Sequence, residues 1–193
     1  MGVSQLIILT SPLEEPHCGD QAGCWQSGER TVLGIVDGLG HGEAAQQSAN
    51  MALDFIGRHH WETLPQLFAS CDKALHRSRG VAMGVAVIDE AVKTLTYAGI
   101  GNTRALVMGR KVTRLISSYG IVGGGYRVLT PQKAPFVKGN LVVLYTDGIE
   151  EIIDMTRYSD FLMANPLQLA QAIIQDWRRK TDDAAVLIYK RGE

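Results

Sequence analysis

The sequence predicts an α+β fold whose sheets are mainly antiparallel, and three observations support this. Runs rich in Val, Ile and Thr recur often enough along the chain to build two sheets. Helical periodicity stands before and after the central strands, without the regular strand–helix alternation that a doubly wound parallel sheet requires. The 193 residues are 46% hydrophobic and 20% charged, ordinary proportions for a chain with one well-buried core, so a single domain over residues 1–193 is expected.

In chain order, the first strand is Gln5 to Thr10 and the second Thr31 to Val36. Ala45, Ala49, Ala52, Leu53 and Ile56 then recur at helical spacing, as do Leu64, Leu67, Phe68, Cys71 and Leu75 in a second helix. Three strands follow at Val81 to Ile88, Thr94 to Ala98 and Arg104 to Met108. The stretch Ile116 to Tyr126, with Gly120 and Gly123 to Gly125, reads as a flexible loop. A phosphate cradle there is disfavoured because no helix carrying Lys and Ser or Thr comes after it. Leu141 to Thr146 is a buried-type strand. A helix with Leu169, Ala170, Ile173, Ile174 and Trp177 on one face follows, with Asn165 as its cap and Pro166 in its first turn. The last strand is Ala184 to Lys190, and no linker, repeat or low-complexity tract interrupts the chain.

Charge and cysteine usage narrow the function. The net charge of -1 offers no basic stripe, so neither nucleic acid nor an anionic membrane is indicated as a partner. The apolar run in MGVSQLIILTSP is too short for a signal peptide or a membrane span, and a cytoplasmic protein is expected. Cys18, Cys24 and Cys71 are odd in number and without paired spacing, which favours reduced, structural thiols over a disulfide framework or a zinc knuckle.

The chemistry concentrates in aspartates at strand ends. Asp37 closes a strand in VDGLGHG, where Gly38, Gly40 and Gly42 let the backbone turn tightly and expose carbonyl oxygens. Asp147 ends the strand of LVVLYTDG, and Asp182-Asp183 precede the strand AAVLIYK. Any one of these is ordinarily a turn residue. Three such ends, together with Asp20 in CGDQAG, point to a metal site. Carboxylates and carbonyls without a His or Cys cluster select Mg²⁺ or Mn²⁺ over Zn²⁺. Two such ions about 4 Å apart, bridged by one carboxylate, can bind phosphate oxygens and activate a water, so the pattern reads as phosphoester hydrolysis.

CGDQAG, GIVDGLGHGEAA, SRGVAMGVAVID, YAGIGNTRALV, YTDGIEE and TDDAAVLIY resemble, in order, the motifs of the PPM (type 2C) metal-dependent Ser/Thr phosphatases, and within them the bacterial stress and sporulation branch with its small stressosome phosphatases. The resemblance extends over nearly the whole chain. It implies an α-β-β-α sandwich of two antiparallel sheets flanked by helices, with a binuclear Mn²⁺ or Mg²⁺ centre at one end. It further implies that Asp37 bridges the metals with help from the Gly38 carbonyl, and that Asp147 and Asp182 complete the second site. Asp20 would be a direct ligand or an acceptor behind the ligands, and Asp183 would orient Asp182, although the tandem leaves their assignment open. The implied substrates are phosphorylated STAS-domain proteins of the stressosome, acted on by a monomer whose open site lacks a large flap.

Two departures from the family pattern bear on mechanism. Many members carry a His directly after the DG, where this chain has Leu39; His41, two residues on, is the substitute general acid, weighed against a loop histidine with no catalytic role. The family's phosphate-binding Arg is not identifiable ahead of Asp20. Arg30, Arg79 and Arg104 are candidates by charge alone, and a solvated surface position accounts for each better. Two rival readings stand beside the phosphatase. DGLGHG also resembles the DxGxG box of GHKL ATPases and anti-sigma kinases, but the upstream helix with a metal-binding Asn is missing. A catalytically silent binding module of the same fold is the other.

Overall fold

The computed structural model describes residues 3–14 and 16–192. Five strands form one sheet in the order β1-β12-β11-β6-β7: β1 is Gln5–Ser11, β6 Arg104–Met108, β7 Val112–Ile116, β11 Leu141–Tyr145 and β12 Ala184–Lys190. Five more form a second sheet in the order β10-β5-β4-β3-β2: β2 is Asp20–Ser27, β3 Arg30–Gly38, β4 Val81–Asp89, β5 Thr94–Ile100 and β10 Gln132–Pro135. Every ladder in both sheets is antiparallel.

Alternation along the strands makes four layers. In β3, Leu33 and Ile35 face the other sheet, meeting Val142, Leu144, Ala185 and Leu187 in the inner core. Their neighbours Val32 and Val36 face outward, against Ala49, Ala52 and Ile56 of α1 (Glu43–His59) and Leu67 and Phe68 of α2 (Leu64–Ala74). The outer face of the first sheet, through Val143, Val186 and Ile188, packs on Leu169, Ala170 and Ile173 of α4 (Pro166–Trp177). A short α3 spans Asp160–Ala164. The expected α-β-β-α sandwich is therefore present, with all seven sequence-predicted strands and the three predicted helices inside it.

The fold also corrects several expectations. Strands β2, β7 and β10 were not legible, because QKAP and the glycine-broken DQAGCWQS lack the apolar alternation that marks a strand. The segment from Ile116 to Tyr126 is not a flexible loop. β8 (Gly120–Ile121) pairs with β9 (Gly125–Tyr126), and fully buried Val122 exchanges both backbone hydrogen bonds with Val81. Gly123 N–H is held by Asp72 Oδ1 at 2.7 Å. Asn165 occupies the cap position of α4 without capping it, since its Nδ2 turns back to the Phe161 carbonyl at 2.7 Å.

Candidate metal centre

Antiparallel pairing brings the four acidic stations to one end of the sandwich. Asp20 opens β2 and Asp37 nears the end of β3, and the ladder sets them directly opposite each other. In the other sheet Tyr145 pairs with Val186, so Asp147, just past β11, and Asp182, just before β12, emerge at one edge. Buried Thr146 fixes that edge: its N–H donates to the Ala185 carbonyl at 3.2 Å and its hydroxyl accepts from Ala185 N–H at 2.9 Å. Between the two sheet ends lies a cleft of about 600 Å³ whose walls include Asp37, Asp147, Asp182, Asn102, His41 and Tyr119.

Asp20 does not line the cleft. It lies behind Asp37, 2% exposed, and its Oδ2 is buried with no hydrogen-bond partner. Burial, then the Asp37 carboxylate, pushes its pKa upward. Burial followed by Asp147 does the same to Asp37, and burial followed by Asp147 raises Asp182. Among the described residues no three His, Cys, Asp or Glu side chains close on a point as a ready-made ligand cage. The donor set nevertheless fits a hard divalent cation: it is all oxygen, and it leaves a buried carboxylate oxygen unpartnered.

The tandem divides cleanly. Asp182 faces the cleft, while Asp183 turns inward, 2% exposed, with Oδ1 accepting from Leu13 N–H at 2.6 Å and Oδ2 from Gly19 N–H at 2.7 Å. The Asp183 N–H donates to Asp182 Oδ1 at 2.9 Å and so orients that carboxylate. Asp183 is thus a clamp between the β12 entry and the segment ahead of β2, and the expectation that it is itself a metal ligand is not supported by its geometry. Gly38 is buried against the first turn of α1, where a side chain would overlap the Ala45 carbonyl, and it is not part of the cleft wall.

His41 is exposed at the cleft, in the turn between β3 and α1. Arg30 sits at the far end of β3 paired with Asp89 at 3.2 Å, which removes it as a phosphate ligand. Arg104 is bound to Glu151 at 2.9 Å and to the Asn102 carbonyl at 2.9 Å. Arg79 lies beside Gly40. Residue-level reading missed Asn102, whose Nδ2 donates to Asp37 Oδ2 at 3.1 Å and whose Oδ1 is buried without a partner. The signal available was an Asn in GIGNTR, the tight turn through which the chain passes from one sheet to the other.

Two other readings lose ground. Among the described residues before Asp37, strands β1 to β3 are the regular elements and none is the helix that carries the Asn of a GHKL ATPase. The cysteines are unpaired, and burial pushes the Cys18 thiol up to about 11 and the Cys71 thiol up to about 12, which suits inert structural residues.

The model of the stage II sporulation protein E (SpoIIE) family matches residues 27–192. The phosphoserine phosphatase RsbX of Bacillus subtilis (strain 168) is 26% identical over 137 residues, 68% of this chain and 67% of the relative. A solved chain described under the bacterial stressosome, a modular system adapted to control secondary messenger signalling, superposes with a TM-score of 0.87 at 24% identity, covering 97% of this chain and 99% of that one. RsbX in complex with magnesium superposes with a TM-score of 0.81 at 18% identity, covering 96% and 94%. These superpositions establish the fold.

Proposed function

We propose that this chain, which belongs to the SpoIIE family, is a divalent-metal-dependent phosphoprotein phosphatase acting on phosphoserine and phosphothreonine. The observation that carries the reading is the convergence of Asp37, Asp147 and Asp182 from both sheets on one cleft, with orphaned Asp20 behind them. The similarity to a phosphoserine phosphatase supports it.

Asp37, Asp147 and Asp182 would hold the cations. When bound, a pair of Mg²⁺ or Mn²⁺ ions supplies Lewis-acid polarisation of the phosphoryl group and a water acidic enough to attack it. The chain's own part is positioning. Asn102 fixes the rotamer of Asp37, the Asp183 amide fixes that of Asp182, and the Thr146–Ala185 pair fixes the strand ends that carry Asp147 and Asp182. His41 stands at the cleft with room to protonate the leaving serine oxygen, or to leave that proton to solvent.

The substrates we assign are phosphorylated STAS-domain proteins of the stressosome, hydrolysed in the cytoplasm by a monomer so that a stress signal is reset. The cleft is open at the surface, and among the described residues no segment between the motifs is long enough to enclose a peptide, so a folded phosphoprotein fits it better than a small metabolite. The test is hydrolysis of an aryl phosphate with Mn²⁺, with Mg²⁺ and with chelator, alongside calorimetric titration of each ion. Cation-dependent turnover with saturable binding is expected. Saturable binding without turnover of any phosphoester would instead make the chain a silent binding module.

A further inference from the structure

Of the exposed large apolar side chains among the described residues, Tyr119 alone lines the metal cleft, and at 98% exposure it touches almost nothing of its own chain. Such exposure ordinarily goes with a loose loop, but here the backbone is held on both sides. Ser118 N–H donates to the Gly99 carbonyl at 2.8 Å, and the Ser118 carbonyl accepts from Gly101 N–H at 2.9 Å. After Tyr119, Gly120 pairs with Tyr126, and Tyr126 packs half-buried against the core beneath α1 and α2. An aromatic side chain fixed at its base and bare beyond it has only two χ angles to order, so it loses little entropy when another molecule covers it.

Tyr119 also borders a second hollow, of about 490 Å³, lined by Tyr126, Arg127 and Val128 and by Gly120 and Gly125 of the β8–β9 hairpin. The lining is mostly apolar, and Val128 is 61% exposed there. Tyr119 and Gly120 belong to both hollows, so the second adjoins the metal cleft across one aromatic side chain. That spacing suits an extended chain. Side chains two residues apart in an extended segment point to the same face and lie about 7 Å from each other. A phosphoserine in the metal cleft therefore sets the side chain two residues away beyond the Tyr119 ring, over the second hollow.

We propose that this hollow is a substrate subsite, taking an apolar side chain two residues from the phosphoserine while the substrate backbone straddles Tyr119. The assignment rests on the phosphatase reading, and its test separates the two. Blocked pentapeptides carry phosphoserine at the centre, Leu, Ala or Asp at the first or the last residue, and Ala elsewhere. Their hydrolysis by the Mn²⁺-loaded chain gives kcat/KM, and fluorescence anisotropy gives their affinity. The Leu-to-Ala ratio is taken within each variant, so a change in the folded fraction cancels. Wild type should favour Leu over Ala by about 10-fold at one of the two positions, the effect of partly burying the extra carbons of Leu. Tyr119→Ala removes the shared wall and Val128→Asp puts a charge in the hollow, so each should bring the ratio to within about twofold of unity. Val92→Asp, in the distant turn between β4 and β5, should leave the ratio as in wild type. A wild-type ratio near unity at both positions overturns the subsite, as does a preference that survives both Tyr119→Ala and Val128→Asp. Preference for Asp over Leu would make Arg127 the contact and overturn it equally. A Tyr119-dependent Leu preference in affinity, from a chain that turns over neither these peptides nor an aryl phosphate, would uphold the subsite while removing the phosphatase.

Discussion

Single substitutions separate the residues that serve chemistry from those that serve structure. Asp37→Asn keeps the shape and removes one charge from a repelling set, so activity should fall by about 10²-fold or more while the metal-free protein melts no lower than wild type, checked by kinetics and calorimetry together. The tandem aspartates should split. Asp182→Asn should abolish turnover with little change in stability, whereas Asp183→Asn weakens the clamp on Leu13 and Gly19 and should lower the melting temperature. Equal effects of the two would show that the inward and outward assignments are wrong. His41→Ala should lose little on either an aryl phosphate or a phosphoprotein, and a large loss confined to the phosphoprotein would make it the general acid. Asp37 was legible in the sequence because a glycine-rich turn directly follows a strand. The division of Asp182 from Asp183 was not, because it is set by amides 164 and 170 residues away.

At the scale of elements, close approaches fix the site. Gly148 follows Asp147, and a side chain there would overlap the Asp183 carbonyl where the β11 and β12 ends meet. Gly148→Ala should therefore cost roughly 1–3 kcal/mol, seen in a denaturation midpoint, and should also weaken divalent binding because it parts Asp147 from Asp182. A stable variant with intact metal affinity would mean that the strand ends are looser than the packing implies. Strands with long apolar runs rich in Val and Ile, such as β4 and β12, declared themselves in the sequence. β2 did not: Gly23 and Gly34 clear space under the Trp25 ring, a cross-strand packing that has no signature in local alternation. The β8–β9 turn was hidden for the same reason, since its order comes from Val81 and Asp72 rather than from its own glycines.

The whole molecule should register the acidic end in its stability. Asp20, Asp37 and Asp182 have folded pKa values raised above the ordinary 3.8, so the metal-free native state holds protons that the unfolded chain has released. Stability contributed by that protonation is full below pH 3.8 and is lost as pH climbs through the raised values, so over that window these groups make the metal-free protein less stable as pH rises. A divalent cation at 100-fold excess over its dissociation constant should reverse the trend, adding on the order of 5–10 °C to the melting temperature at neutral pH. A melting temperature indifferent to both pH and divalent cations would remove the carboxylate cluster as a metal site. Docking is the other property of the whole: an intact phosphorylated domain should be turned over much faster than a peptide carrying the same phosphosite, because the folded surface fixes the phosphoester before attack. The most direct measurement of the central claim is release of inorganic phosphate from an intact phosphorylated STAS domain by wild type and Asp37→Asn, with Mn²⁺ and with chelator. Turnover by wild type with Mn²⁺ alone, lost on chelation and reduced about 10²-fold or more in Asp37→Asn, is the predicted result; turnover that survives chelation or the substitution would contradict it.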